Sequence, residues 1–564
     1  MNSSGGTGAT ATGATDTAGR LPRRADGNGA AGPAADRGPA RRTLVGGAWA
    51  VAALAAFAVY LRLASTRAVN SDGASQALQA WDMLHGNVLL RGWTTTDVSF
   101  FTTEVPQYAL IELAHGLSQG VVHIAAAMTY TLVLLFAALV AKGTATGREA
   151  AARVAIGVGI MLAPQLASGT NELLSSPDHI GTSVPLLIIL LVIDRVQRPR
   201  WWVPVLVLAL VAWADLADSI VLLAAVIPLA LVCAFRVARS WRRPTPRWYE
   251  IALAGGALAG FGVAQIAYRI IRAAGGYTTR PLGSQLAPPS EIFGHNLPIA
   301  AQGLLLLPGA DFLGLPAGAS TLFVVLHLVG VAAAAAGIAL AVWRCGRRDA
   351  DFVNQLLLAG IVVNFIAYVA TTHVTDVTSA REIAPALPFA AVLAGRELGP
   401  FFGPRRVRAP RHGAPRYRRV WVAALGVVLA GYVAGLGLEL TAPTAPPQAA
   451  QLTAWLESHP IGTGLSGYWQ ANVVALTSGG RVAVRSVVIT DGRVAQAPAN
   501  TKSVWFDPAR SRADFVVLFP GVSGYPGFTD RQAVLATFGK PARTYHVGQY
   551  TILWWPENLL ADVR

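Results

Sequence analysis

Charge is scarce in this chain. Of its 564 residues only 13% are Asp, Glu, Lys or Arg and 53% are hydrophobic, whereas an ordinary soluble domain is about 25% charged and about 45–50% apolar. A soluble globular fold is excluded. Cysteine is nearly missing too: the two present, Cys233 and Cys345, stand at apolar helix ends expected to face the cytoplasm, which excludes a disulfide framework. No Walker or GxGxxG stretch lies between a strand and a helix, so nucleotide binding has no support. Nor is there a visible internal repeat of the kind that marks inverted-repeat transporters.

What the chain does have is long apolar runs. A helix of about 20 residues crosses a hydrocarbon core about 30 Å thick, and helices are favoured there because lipid offers backbone amides no partner. Suitable runs fall at roughly 44–66, 120–141, 150–168, 181–194, 201–217, 219–236, 250–271, 319–343, 353–371, 383–398 and 420–440, about eleven spans. The expected fold class is an α-helical polytopic membrane protein.

The net charge of +15 reflects where the basic residues lie. Lys142 with Arg148 and Arg153, Arg195 to Arg200, Arg236 to Arg247, Arg344 to Arg348 and the run from Arg405 to Arg419 fill alternate loops, and the intervening loops hold few. Such asymmetry marks the basic loops as cytoplasmic, and no nucleic-acid partner is needed. With Arg41 and Arg42 ahead of the first run, the N-terminus is expected inside and the C-terminus outside, with the first run a retained anchor rather than a signal peptide. High Ala, Gly and Arg content points to a GC-rich bacterial genome and so to a bacterial plasma membrane.

Residues 1–40 are low-complexity Gly, Ala, Thr and Arg, expected as a disordered cytoplasmic tail. A transmembrane domain over 41–440 carries two long external loops, 67–119 and 272–318. The first holds amphipathic helices around 73–85 and 106–117. A Pro-rich linker at 441–451 leads to residues 452–564, where strand-like runs (RVAVRSVVI, ADFVVLF, YTILWW) alternate with helix patterns (LTAWLESH, DRQAVLATFG). This reads as a small extracytoplasmic α/β domain of about 110 residues. Its Trp469, Trp505, Trp554 and Trp555 suit core packing better than sugar stacking.

One short stretch, NSDGASQALQAWDMLHGN, puts Asp72 just outside the first span and at the start of an amphipathic helix. Ser71 or Asp72 is placed to cap that helix; a capped carboxylate still presents an oxygen to a substrate. The helix, the following FFTTEVPQYALI with Pro106 and Tyr108, and the external segment TTHVTDVTSAREIAPALPFAAVLAG together resemble the GT-C membrane glycosyltransferases, which take sugar from a polyprenyl-phosphate donor. The resemblance spans roughly 44–564 and implies a GT-C-like fold, Asp72 as catalytic base, Asp178 as a second acid, and Arg381 as a ligand of the donor phosphate. Gly73 stands where many members have Glu, and Glu382 where they have Tyr. An interfacial Arg snorkelling to headgroups is the bland account of Arg381.

Other ionisable groups gather at external helix ends: Glu104, Asn171, Glu172, His179, Asp215, Asp218, Arg269, Arg272, His373 and Asp376. Charges at membrane depth are costly and usually mark function, so these are candidates to line one cavity, with Arg269 and Arg272 as further phosphate ligands; loop solvation or capping is the alternative for each. No metal site is expected from spacing, although Asp178 beside His179 leaves room for a divalent ion.

The chemistry suits these residue types. One carboxylate takes the proton of an acceptor hydroxyl, and Arg stabilises a departing phosphate. The expected activity is inverting transfer from a polyprenyl-phosphate sugar to a cell-envelope glycan, lipid or protein. A transporter or lipid flippase with an external cargo-binding domain is the alternative, and a noncatalytic envelope scaffold a third.

Overall fold

The computed structural model describes residues 38–164, 168–174, 177–196, 198–239, 247–280, 283, 285–347, 350–403, 415–459, 461–522 and 525–564. The expected tail thus lies outside the described residues up to 37, as do Arg242, Arg243 and the run from Arg405 to Arg411. Residues Met1–Ala52 form one unit, of which the start of the first helix is described, and Ala53–Arg564 form the other.

Every apolar run becomes helical. Among the described residues, seven helices are long and apolar enough to cross a membrane, including Gln119–Lys142, Trp248–Ala273, Phe352–Val369 and a final one ending at Glu439. Four others are shorter: Gly147–Met161, Ser183–Arg195, Trp202–Asp215 and Ala386–Leu398. At 13–15 residues they rise only about 20–23 Å. All four stop short at the same end of the bundle, where the backbone turns into loops that carry Asp178, His179 and Asp218 and into the short helices Ser168–Leu174 and Val377–Ile383 that carry Glu172 and Arg381. The helices pack through small residues: a Cβ on Gly256 would lie 2.5 Å from the Pro204 carbonyl oxygen, and one on Gly260 2.6 Å from that of Leu208. Such close approach is how membrane helices gain packing without a hydrophobic driving force.

The first loop folds into the helices Ser71–Leu84 and Glu104–His115. Its strand Trp93–Thr95 pairs in parallel with Thr278–Thr279 of the second loop and antiparallel with Thr501–Lys502 of the C-terminal region. Lys502 Nζ adds an ion pair of 2.9 Å to Asp82, which also accepts from Trp93 Nε1 at 2.8 Å. Three segments far apart in sequence are thereby stitched together over the bundle's shortened end.

The C-terminal region is an α/β layer. Its sheet runs in the order Arg493–Gln496, Val484–Thr490, Gly464–Gly467, Phe515–Val522, Tyr550–Trp554 and Arg543–Val547, with Gly464–Gly467 parallel to both neighbours. On one face, helices Ala450–Ser458 and Tyr468–Thr477 bury Leu452, Leu456, Ala471 and Val474 against Phe515 and Val517. On the other, Val534 of Arg531–Phe538 meets Leu465, Val516 and Trp555. Trp555 is buried in that core and Trp505 packs against the first loop's cluster, so these indoles serve packing. The helix Tyr468–Thr477 is shared, since its Val473 and Leu476 join Val69, Ala74 and Ala77 of the first loop in a separate apolar cluster.

Candidate functional site

Asp72 lies in the first turn of Ser71–Leu84. The cap expected from Ser71 or Asp72 is made by Asn70, whose Oδ1 accepts from the Gly73 amide at 3.0 Å. This corrects the sequence reading and releases both neighbours. Ser71 Oγ donates to the Tyr468 carbonyl, and Asp72 Oδ1 accepts from the Tyr468 hydroxyl.

Facing Asp72 electrostatically is Arg381, on a 3-10 turn, Val377–Ile383, that Asp376 and Ser379 cap reciprocally. Partial burial opposes its charge, but Asp178, Asp72, Glu382 and Glu172 surround it and hold its proton more firmly than usual. The carboxylates cannot all ionise beside one another. Burial, and then the charge of Asp178, pushes Glu172 up to about 9 against the pull of Arg381. Burial likewise takes Asp178 up to about 7, with Arg381 opposing and Asp72 adding. Near neutrality, therefore, this ring offers a protonated Glu172, a partly protonated Asp178 and a guanidinium whose side chain is 44% exposed.

Behind the ring His179 is clamped between two carboxylates. Its Nδ1 lies 2.8 Å from Asp218 Oδ2 and its Nε2 3.0 Å from Glu382 Oε2. Burial works against the imidazolium, yet Asp218 and Glu382 raise it well above the usual histidine range, since both ring nitrogens then donate. Glu382 pays burial's penalty in reverse: despite it, His179 and Arg381 draw its carboxyl down to about 2. Asp97 joins the group from the first loop, its carboxyl raised by burial and by Glu382.

The remaining candidates divide. Glu104, raised to about 7 by burial, shares a small cavity with Tyr108, Thr129 and Asp178. Asn171 accepts from Arg67 Nε at 2.7 Å. Asp215 accepts from Gln265 Nε2 at 3.0 Å, and His373 acts on Glu382. Arg269 and Arg272 are not brought into the ring; both are exposed at the end of Trp248–Ala273, and neither has an ion pair among the described residues. Glu382, read in the sequence only as a departure from Tyr, turns out to hold His179, and Tyr468 and Asn500 were missed altogether. Nothing local marks Tyr468, whose partner lies 396 residues away.

Both nitrogens of His179 are engaged by carboxylates, leaving none to ligate, and no group of three or more His, Cys, Asp or Glu among the described residues could hold a metal.

The arrangement can bind an anion at Arg381 and donate a hydrogen bond to it from a protonated Glu172, with the Asp72 carboxylate among Arg381's electrostatic neighbours as a proton acceptor.

No family model matches the sequence, and no curated protein does. Among solved structures the chain is similar to ArnT from Cupriavidus metallidurans bound to undecaprenyl phosphate, with 15% identity and a TM-score of 0.55, over 91% of this chain and 98% of that one. Two structures of the Archaeoglobus fulgidus oligosaccharyltransferase, one apo and one of AglB with an inhibitory peptide and a dolichol-phosphate, match at 13% and 12% identity with TM-scores of 0.42 and 0.43, over 82% of this chain and 69% of each.

Proposed function

We propose that this chain, which has the fold of the GT-C membrane glycosyltransferases, transfers a sugar from a polyprenyl-phosphate donor to a cell-envelope acceptor at the outer face of a bacterial plasma membrane. One observation carries the reading: Arg381, on its capped 3-10 turn, is surrounded by Asp72, Asp178, Glu172 and Glu382, and burial raises Glu172 to about 9 and Asp178 to about 7, so that Glu172 is protonated and Asp178 partly so near neutrality. A ring of four ionised carboxylates would repel a phosphate. Protonated, two of them become donors, and charge-assisted hydrogen bonds from the guanidinium supply the remaining attraction. The undecaprenyl phosphate named with the ArnT structure is a ligand of this chemical class.

Asp72 then acts as general base. It takes the proton of the acceptor hydroxyl as that oxygen attacks the anomeric carbon, while the phosphate leaves toward Arg381. A single displacement inverts the anomeric centre, and no second carboxylate is compulsory, unlike the acid and nucleophile pair of a retaining glycosidase. Stabilising the leaving charge in a site already arranged for it is usually the largest contribution to such a rate. The C-terminal α/β domain and the ring share the extracytoplasmic side in this reading, with the basic loops inside.

The test is purified protein in proteoliposomes, given undecaprenyl-phosphate mannose, arabinose or aminoarabinose and an envelope extract as acceptor. Asp72→Asn should abolish transfer while undecaprenyl phosphate still binds. Turnover retained by that variant would remove Asp72 from the mechanism.

A further inference from the structure

Asp72 belongs to the first loop, but the group that orients its carboxylate belongs to the C-terminal α/β domain. Tyr468 follows directly on strand Gly464–Gly467, whose two parallel neighbours fix its backbone, and its carbonyl is held by Ser71 Oγ. Its hydroxyl is engaged on both sides. Asn500 Nδ2 donates to it at 2.8 Å, and it donates in turn to Asp72 Oδ1. Asn500 holds this place in the left-handed region, with φ of 54°, which asparagine visits more readily than most residues.

The polarity of this chain of hydrogen bonds is fixed. A phenol has one proton and an ionised carboxylate only accepts. With an amide N–H directed at the phenol oxygen, its single proton points to Asp72. Burial and the neighbouring Asp72 charge keep that proton on the oxygen. The carboxylate is therefore gripped at Oδ1, and Oδ2 is left for an incoming hydroxyl. The domain that provides the grip is itself tied to the first loop, by the strand pairing of Thr501–Lys502 with Trp93–Thr95 and by the Lys502–Asp82 ion pair.

We propose that Tyr468 is a positioning residue for the transfer reaction, fixing through Asn500 the rotation of the Asp72 carboxylate, so that the α/β domain completes a site whose base lies on another part of the chain. This rests on Asp72 being the base. A general base must lie within hydrogen-bond reach of the proton it takes, in the correct orientation, and misplacement of such a group by about 1 Å can cost about a hundredfold in rate.

The experiment uses the full-length protein in the same proteoliposomes and compares Tyr468→Phe, Asn500→Asp and Asp72→Asn. Tyr468→Phe should lower kcat about 10- to 100-fold, the range for losing a hydrogen bond to a charged group, with KM for the lipid-linked donor unchanged. Asn500→Asp keeps the phenol but puts a second carboxylate in competition for its one proton, and should lower kcat by a comparable factor while the thermal midpoint stays near that of the unmodified protein. That second variant also decides the matter if Tyr468→Phe does not fold. Full turnover by either variant, or a loss confined to donor KM, overturns the positioning role. If Asp72→Asn is inactive while the other two turn over normally, only this inference fails; if Asp72→Asn is active, the base assignment itself fails.

Discussion

The two ends of the helical bundle each bury a group of charges, and they handle them in opposite ways. At the end away from the C-terminal domain, Arg396 donates from Nη2 to Asp194 and to Asp351, both at 2.8 Å, from Nε to Asn354 at 2.6 Å and from Nη1 to the Val140 carbonyl at 2.9 Å. Glu397 takes Arg344 on one oxygen and Asn354 on the other, each at 2.6 Å. Each carboxylate there has a basic partner. At the other end four carboxylates crowd Arg381, and the deficit of positive charge is met by protons. A cluster in which every carboxylate is hydrogen-bonded to a guanidinium joins helices as a staple, whereas one that leaves several carboxylates around a single guanidinium is held ready for something that brings further groups.

The comparison breaks most visibly at Arg396. Arg396→Ala removes the guanidinium that Asp194, Asp351, Asn354 and the Val140 carbonyl share, and breaking a buried pair costs about 3–5 kcal/mol; the expected result is a large fall in thermal midpoint, or failure to accumulate in the membrane. A midpoint within a degree or two of the parent would show that the cluster is no staple. Arg381→Ala should do the reverse. Its side chain is 44% exposed, so the fold should persist while transfer falls about 10²–10³-fold, as for loss of one donor to a developing anion. A matched loss of stability and rate in both variants would erase the distinction.

Much of the architecture was readable in advance, because period and length are local properties. The apolar runs became helices, Ser71–Leu84 and Glu104–His115 fall where amphipathic helices were expected, and YTILWW forms the strand Tyr550–Trp554. Three of the four short helices were readable at close to their length, the runs 181–194, 201–217 and 383–398 becoming Ser183–Arg195, Trp202–Asp215 and Ala386–Leu398; the run expected over 150–168 instead ends at Met161, because hydropathy continues past the point where the helix stops. The sheet across the loops was invisible too: Thr278–Thr279 and Thr501–Lys502 have two residues each, too few for an alternating pattern. At the site, Asp72, Glu172, Asp178 and Arg381 could be named one by one from position and charge. Their mutual coupling could not, and the cap at Asn70 was misplaced by one residue because Asn, Ser and Asp all cap well. Arg269 and Arg272 stand exposed at the end of Trp248–Ala273 without an ion pair among the described residues, a matter of helix phase that a loop assignment does not fix.

A smaller effect tests the unbalanced end alone. Glu172 has its proton affinity raised by burial and then by Asp178, to about 9. Below the ordinary carboxyl range both the native and the unfolded chain carry the proton, and the group contributes nothing. As pH climbs through about 4.3 the unfolded chain releases its proton while the native one does not, so each further unit favours unfolding until about pH 9. His179 acts in the same direction at higher pH: its raised affinity gives stability that is complete below about 6.5 and is lost as pH rises through its native value. Glu382, drawn down to about 2, gives stability present above about 4.5 and lost only in strong acid. Glu172→Gln should therefore gain stability relative to the parent as pH rises from 4 to 8. The check is the difference in thermal midpoint between the two proteins at both pH values. A difference that does not change with pH would mean that Glu172 is not held neutral, and the ring around Arg381 would then be as fully charged as the staple at the opposite end.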